Sequence, residues 1–250
     1  MSTWFISDLH LFPNRPQSIQ LLQAFLEYLG HAPDDVEGLY ILGDLLEFWV
    51  GDDLLEHPIG ESFKPLLQLL STLAAKGVPI AFQHGNRDFL LGAHFAKLSG
   101  MTLLPEKWVI DLYGTPTLLL HGDSLCTDDV TYQQLRTQLR NPDWQTQFLA
   151  LPLEQRVAQA QALREESKTQ TQAKEEAILD VNPETVIQMM QRTGVTQLIH
   201  GHTHRPAIHK VCIQERAGQR IVLGDWYGSE GSFLKVDAKG VQLLKHYLSS

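Results

Sequence analysis

Short apolar runs that each end in a polar cluster alternate with stretches of helical spacing along the first half of the chain. Trp4-Phe5-Ile6-Ser7 and Leu39-Tyr40-Ile41-Leu42 predict strands leading into Asp8 and Asp44. Between them, Leu22, Leu26 and Leu29 recur at helical intervals over Ile19 to Leu29, so the chain opens as a β-α-β unit. A second helical pattern over Glu61 to Ala75 stops at Gly77, and Val78 to Phe82 predicts a buried strand that delivers Gly85 and Asn86. Trp108 to Leu112 and Thr117 to Leu120 flank Tyr113-Gly114-Thr115-Pro116 as a hairpin whose second strand ends at His121. Gln197 to Ile199 leads into His200, and Arg220 to Leu223, Ser232 to Val236 and Val241 to Leu244 predict short closing strands.

Between about residues 127 and 193 the pattern changes: Gln, Ala, Glu and Leu replace β-branched runs, and helix breakers are confined to Pro142, Pro152 and Pro183. This predicts a helical insertion within one domain spanning residues 1–250, since a chain of 250 residues can bury one sizeable core without dividing. The formal charge of -9 argues against a broad nucleic-acid surface, which needs Lys and Arg opposite many phosphates. Residues 130–174 run against that balance. Arg136, Arg140, Arg156, Arg164, Lys168 and Lys174 outweigh Asp143, Glu154, Glu165 and Glu166, which fits either a solvated helix surface or a cap that receives an anionic ligand. Cys126 and Cys212 have neither metal-type spacing nor enough partners for a disulfide framework. Asp8 stands where a signal peptide needs an apolar core, and no apolar run is long enough to span a bilayer, so a cytoplasmic location is expected.

The polar clusters at the strand ends carry the chemistry: Asp8-Leu9-His10, Gly43-Asp44, Gly85-Asn86-Arg87-Asp88, His121-Gly122-Asp123 and Gly201-His202-Thr203-His204. Residues two apart at a strand end point the same way, so Asp8 with His10, and His202 with His204, can reach one ion. Asn adds a neutral oxygen donor where carboxylates already crowd a site. Mixed imidazole and carboxylate donors suit manganese, iron or zinc rather than calcium, and two such ions suit phosphoester hydrolysis.

These ordered blocks resemble those of the calcineurin-like metallophosphoesterase superfamily. The resemblance implies an α/β (α+β) fold, a four-layer αββα sandwich, in which Asp8, His10 and His204 hold one ion, Asn86, His121 and His202 the other, and Asp44 bridges. Neither His84 nor His200 is expected as a ligand. Many members place His after the Asn, where it assists the leaving group; here Arg87 stands instead. A guanidinium cannot act as a general acid near neutral pH, but its fork of donors can stabilise charge on phosphate oxygens. Arg87 and Asp44 are therefore the expected catalytic residues, with Asp88 and Asp123 expected behind the ligands.

Longer strings narrow the resemblance: Ile6 to Leu11, Tyr40 to Leu45, Trp49-Val50-Gly51-Asp52-Asp53, His84 to Gly92, His121 to Asp129 and Ile199 to Pro206 are similar to the UDP-2,3-diacylglucosamine diphosphatase family. That likeness implies hydrolysis of the diphosphate of UDP-2,3-diacylglucosamine to UMP and 2,3-diacylglucosamine 1-phosphate, in lipid A biosynthesis of Gram-negative bacteria. It implies two divalent metal ions, usually Mn2+, and water attack on the phosphorus next to uridine. By position, Asn86, Arg87, Asp129, Ser167, Thr171, Lys174 and His202 would bind substrate, although Thr171 stands where relatives commonly have Asn. An acylated substrate also needs apolar cover, for which Trp144, Phe148, Leu149, Leu151, Leu153 and Val157 offer either a groove or ordinary core packing. A monomer that contacts the cytoplasmic face of the inner membrane peripherally, and binds no nucleic acid, is expected.

Overall fold

The computed structural model describes residues 1–173 and 180–247, with the side chains of residues 166–173 left aside. In chain order it contains β1 (Ser2–Ile6), α1 (Pro16–His31), β2 (Val36–Leu42), α2 (Pro58–Glu61), α3 (Lys64–Ala75), β3 (Ile80–Gln83), α4 (Ala93–Ser99) and β4 (Met101–Leu103). The hairpin β5 (Trp108–Leu112) and β6 (Thr115–Leu119) precedes α5 (Val130–Leu139), α6 (Pro142–Leu149), α7 (Leu153–Ala173) and α8 (Pro183–Thr193). The chain then runs through β7 (Gln197–His200), β8 (Ala207–Ile213), β9 (Arg216–Val222), β10 (Glu230–Asp237) and β11 (Gly240–Tyr247).

One sheet has the order β11-β10-β1-β2-β3-β4 and the other β5-β6-β7-β9-β8. Strands β1 to β4 pair in parallel, as do β6 with β7 and β7 with β9, while hairpin partners pair antiparallel. The central strands are largely apolar because both of their faces are covered. In β1, Trp4 and Ile6 face the helices α1 and α3, while Phe5 points into the space between the sheets with Leu119, Ile199 and Leu234. In β6 and β7 the same alternation sends Leu118 and Leu198 outward onto Val186 and Met190 of α8, and Leu119 and Ile199 inward. Helix, sheet, sheet and helix thus stack as four layers, as the sequence led us to expect.

The helical pattern over Glu61 to Ala75 is interrupted: α2 ends at Glu61 and α3 begins at Lys64, with Pro65 in its first turn. The hairpin at Tyr113 and Gly114 closes with both residues at positive φ, 52° and 84°, which suits the twist of a two-residue turn. Of the helices in the 127–193 stretch, α8 belongs to the outer layer beside the second sheet, while Phe148 of α6 and Val157 of α7 join the core around the first sheet.

Candidate metal centre

Asp8, Asp44, Asn86, His121 and His202 follow the carboxyl ends of β1, β2, β3, β6 and β7, where parallel strands of both sheets open onto one edge. The loops there are bent tightly. Asp8, His10, Asp44, His202 and His204 all have φ between 47° and 68°, a region few non-glycine residues enter. Among the described residues the other non-glycine positions at positive φ, Tyr113, Gln214 and Glu215, sit in hairpin turns, so there backbone strain outside turns is concentrated in the predicted ligands. The motif glycines have a steric role as well. A Cβ on Gly85 would lie 2.0 Å from Asp44 Oδ1, and one on Gly201 would lie 2.3 Å from Asp8 Oδ2.

Each buried carboxylate is anchored by one oxygen and presents the other. Asp8 Oδ2 accepts from Ser7 Oγ at 2.5 Å and from the His202 backbone N–H at 2.9 Å, leaving Oδ1 3.3 Å from His204 Nε2. His10 Nε2 lies 3.2 Å from that same His204 nitrogen. Asp44 Oδ1 accepts from the Arg87 backbone N–H at 2.8 Å, and its Oδ2 faces His10 Nε2 at 3.9 Å and His121 Nε2 at 3.7 Å. Asn86 Oδ1 completes the other half, 3.0 Å from His121 Nε2 and 2.9 Å from His202 Nδ1. All seven predicted ligands therefore meet, and Asp44 Oδ2 faces imidazoles of both halves.

The donor set fits divalent cations. His121 Nδ1 lies 2.8 Å from the Leu42 carbonyl, which can only accept, so the proton of a neutral ring sits on Nδ1. In that neutral form the Nε2 lone pair points at the oxygens of Asn86 and Asp44, so a cation among them would be held by all three donors. Without one, burial opposes charge on the ring but Asp44 and Asp8 raise its pKa, favouring an Nε2–H that donates to the same oxygens. Desolvation pushes Asp44 up to about 7. It works against charge on His204, yet the neighbouring Asp8 carries that imidazole up to about 9. It also takes His202 down to about 3, so His202 offers a neutral ring. Metal binding must displace the protons held by Asp44 and His204. Affinity for Mn2+ is expected to rise as pH is raised toward 9, with proton release visible by titration calorimetry in two buffers of different ionisation enthalpy. An affinity that is flat between pH 6 and 9 would contradict this.

Around the ligands, Asp88 is wholly buried and accepts four backbone N–H groups, those of Asp44, Leu45, Leu46 and Gly85. Asp123 accepts from Tyr132 Oη at 2.9 Å and Arg136 Nε at 2.8 Å, and the Tyr132 ring stacks on His202. His84 and His200 stay outside the cluster: His84 Nε2 lies 2.7 Å from the Leu91 carbonyl, and burial takes His200 down to about 4. Tyr132 and Asp225, which lies 3.6 Å from His204 Nδ1, are absent from the sequence-based set. Tyr132 was findable, because Tyr132, Arg136 and Arg140 recur at helical intervals and make one polar stripe on α5.

The remaining expectations divide. Asp129 caps α5, accepting from the Tyr132 backbone N–H at 3.1 Å. The side chains of Ser167 and Thr171, and the whole of Lys174, lie outside the described residues. The arginines expected to await an anion are bonded within the protein: Arg136 to Asp123 and Glu106, Arg140 to the Gly85 carbonyl, Arg156 to Asp53 and Arg164 to Glu47. A cleft runs from Asn86 and Arg87 to Phe89, Leu139, Trp144 and Phe148. Leu151, Leu153 and Val157 pack against the main core instead of lining it, and Leu149 is exposed.

The calcineurin-like phosphoesterase family matches residues 1–206. Curated relatives include proteins called UDP-2,3-diacylglucosamine hydrolase. That of Cellvibrio japonicus is 48% identical over 97% of this chain and 98% of its own length. That of Stenotrophomonas maltophilia is 49% identical over 97% and 98%, and that of Serratia proteamaculans 47% identical over 98% and 99%. With the sandwich, the ordered ligand blocks and these relatives in agreement, the chain belongs to the calcineurin-like phosphoesterase family.

Proposed function

We propose that this protein hydrolyses the diphosphate bond of UDP-2,3-diacylglucosamine to UMP and 2,3-diacylglucosamine 1-phosphate, a step of lipid A biosynthesis. The observation that carries this reading is the cleft in which Asn86 and Arg87, beside the metal centre, continue into the apolar walls of Phe89, Leu139, Trp144 and Phe148. A diphosphate and an acyl chain find complementary surfaces there, with each buried methylene contributing roughly 0.8 kcal/mol. Near full-length identity to proteins called UDP-2,3-diacylglucosamine hydrolase supports the same substrate.

Two divalent ions, Mn2+ by family resemblance, held by Asp8, His10 and His204, by Asn86, His121 and His202, and jointly by Asp44, would supply Lewis acidity to the phosphoryl oxygens and lower the pKa of water. Arg87 directs donors at the charge that develops on phosphate; its Nε is buried without a partner among the described residues, which fits an acceptor brought by the substrate. Asn86 and His202 orient the same group, and Asp129, Ser167, Thr171 and Lys174 contact the remainder beneath a cap formed by α5, α6 and α7. The protein acts as a monomer at the cytoplasmic face of the inner membrane; no described helix is long and apolar enough to cross a membrane.

Incubation with UDP-2,3-diacylglucosamine and Mn2+ is expected to release UMP, and a chelator should abolish the release. In 18O-labelled water the label should enter UMP, since attack falls on the phosphorus next to uridine. Turnover of simple nitrophenyl esters alone would overturn the substrate, and label in the sugar phosphate would overturn the point of attack.

A further inference from the structure

The string Trp49-Val50-Gly51-Asp52-Asp53 holds no ligand of the metal centre, yet it begins five residues after Asp44. The segment from Asp44 to Asp53 is pinned to the core along its length. Leu45 and Leu46 donate to Asp88, Trp49 donates to the Arg87 carbonyl, and Asp52 accepts from the backbone N–H groups of Gly92, His94 and Phe95 and from Trp49 Nε1. From this fixed base two carboxylates reach α7. Glu47, whose side chain is only 6% exposed, accepts from Arg164 Nε at 2.7 Å and lies 3.4 Å from Arg15 Nη1. Asp53 receives Arg156 through both terminal nitrogens, and Arg156 also donates to the carbonyls of Val50 at 2.5 Å and Leu151 at 3.0 Å.

The fit is close on both sides. Arg156 is 3% exposed, its guanidinium buried among Asp53 and the carbonyls of Val50 and Leu151. Gly51 has φ 123°, and a Cβ there would come within 2.6 Å of Arg156 Nη1, so the glycine makes room for the arginine. Among its described side chains α7 offers only Leu153, Val157 and Ala160 to the core, a narrow apolar seam for so long a helix. Ion pairs at Glu47 and Asp53 add to this attachment.

We infer that Glu47 and Asp53 are positioning residues that clamp α7, whose Ala160, Leu163 and Arg164 line one side of the substrate cleft, onto the loop following the metal ligand Asp44. This rests on the cap and substrate proposed above. The clamp sets how well the lipid part of the substrate is received and leaves chemistry at the metal centre alone.

The test compares wild type with Glu47→Gln and Asp53→Asn, both near-isosteric. Each is expected to raise KM for UDP-2,3-diacylglucosamine about tenfold with kcat held within about twofold, as loss of a positioning contact does. Hydrolysis of bis(4-nitrophenyl) phosphate, which has no acyl chains to seat, should be unchanged. Limited trypsin treatment should cut after Arg156 and Arg164 faster in the variants. Equal losses on both substrates, or an unchanged KM, would overturn the clamp, as would unaltered trypsin sensitivity. Asp53 is half exposed, so Asp53→Asn remains informative if Glu47→Gln does not fold. If wild type fails to turn over the lipid substrate, the proposed function falls, and trypsin sensitivity alone decides the clamp.

Discussion

Replacing Asp44 with Asn should slow phosphoester hydrolysis about a thousandfold or more while the protein stays folded, because under the proposed two-ion arrangement the change removes a charge that both ions would share and little volume. Asp44 Oδ1 is fixed by the Arg87 backbone N–H, and Oδ2 faces His10 on one side and His121 on the other. An amide in that position supplies at most one neutral oxygen, so metal content measured by mass spectrometry should fall along with rate. Arg87→Ala is the contrasting variant. The donor to Asp44 belongs to the backbone and survives the substitution, so metal content should hold while kcat falls about a hundredfold through loss of charge stabilisation. Near-normal rate and metal content in Asp44→Asn would show that the ions do not share this carboxylate.

The sequence made the strands and the ligands legible for one reason. Strands buried on both faces are continuous apolar runs, and here the runs that matter stop where a ligand begins, as Ile6 precedes Asp8 and Leu42 precedes Asp44. What pattern does not carry is the backbone's local hand. Asp8, His10, Asp44, His202 and His204 adopt left-handed φ without being glycine, and no composition signal marks that. The strands β4 and β8 were equally hidden: β4 is three residues long, and β8 is an edge strand whose His209, Lys210 and Cys212 are exposed. Bounds shifted where pairing, not apolarity, sets strand length, so β9 begins at Arg216, four residues ahead of the run starting at Arg220.

Charge was harder to read than apolarity. The basic excess over residues 130–174 fitted a receptor for an anion as well as a solvated surface, but its arginines find Glu47, Asp53, Glu106 and Asp123, carboxylates that lie 13 to 117 positions away in the chain and are invisible to a local count. Only three-dimensional pairing separates a charge that holds the fold from one that waits for a ligand. Arg87 is the case on the other side, because its buried Nε has no partner among the described residues.

Asp88→Ala is expected to be the most damaging change to stability near the site, costing about 4 kcal/mol. The wholly buried Asp88 carboxylate divides its work: Oδ1 accepts from Asp44 N at 3.3 Å and Gly85 N at 2.9 Å, and Oδ2 from Leu45 N at 2.8 Å and Leu46 N at 3.3 Å. Alanine would leave these four buried donors without the carboxylate that accepts from them. In a domain of this size that loss should lower the melting midpoint by roughly 10 °C. Asp88→Asn keeps one oxygen and turns an NH2 group toward two N–H donors, so its midpoint should fall between those of wild type and Asp88→Ala. Because the same N–H groups fix the loop carrying Asp44, metal affinity should drop in parallel with stability. A midpoint for Asp88→Ala within about 2 °C of wild type would mean that the loop is held by other contacts, and that the burial of this carboxylate serves something besides the turn.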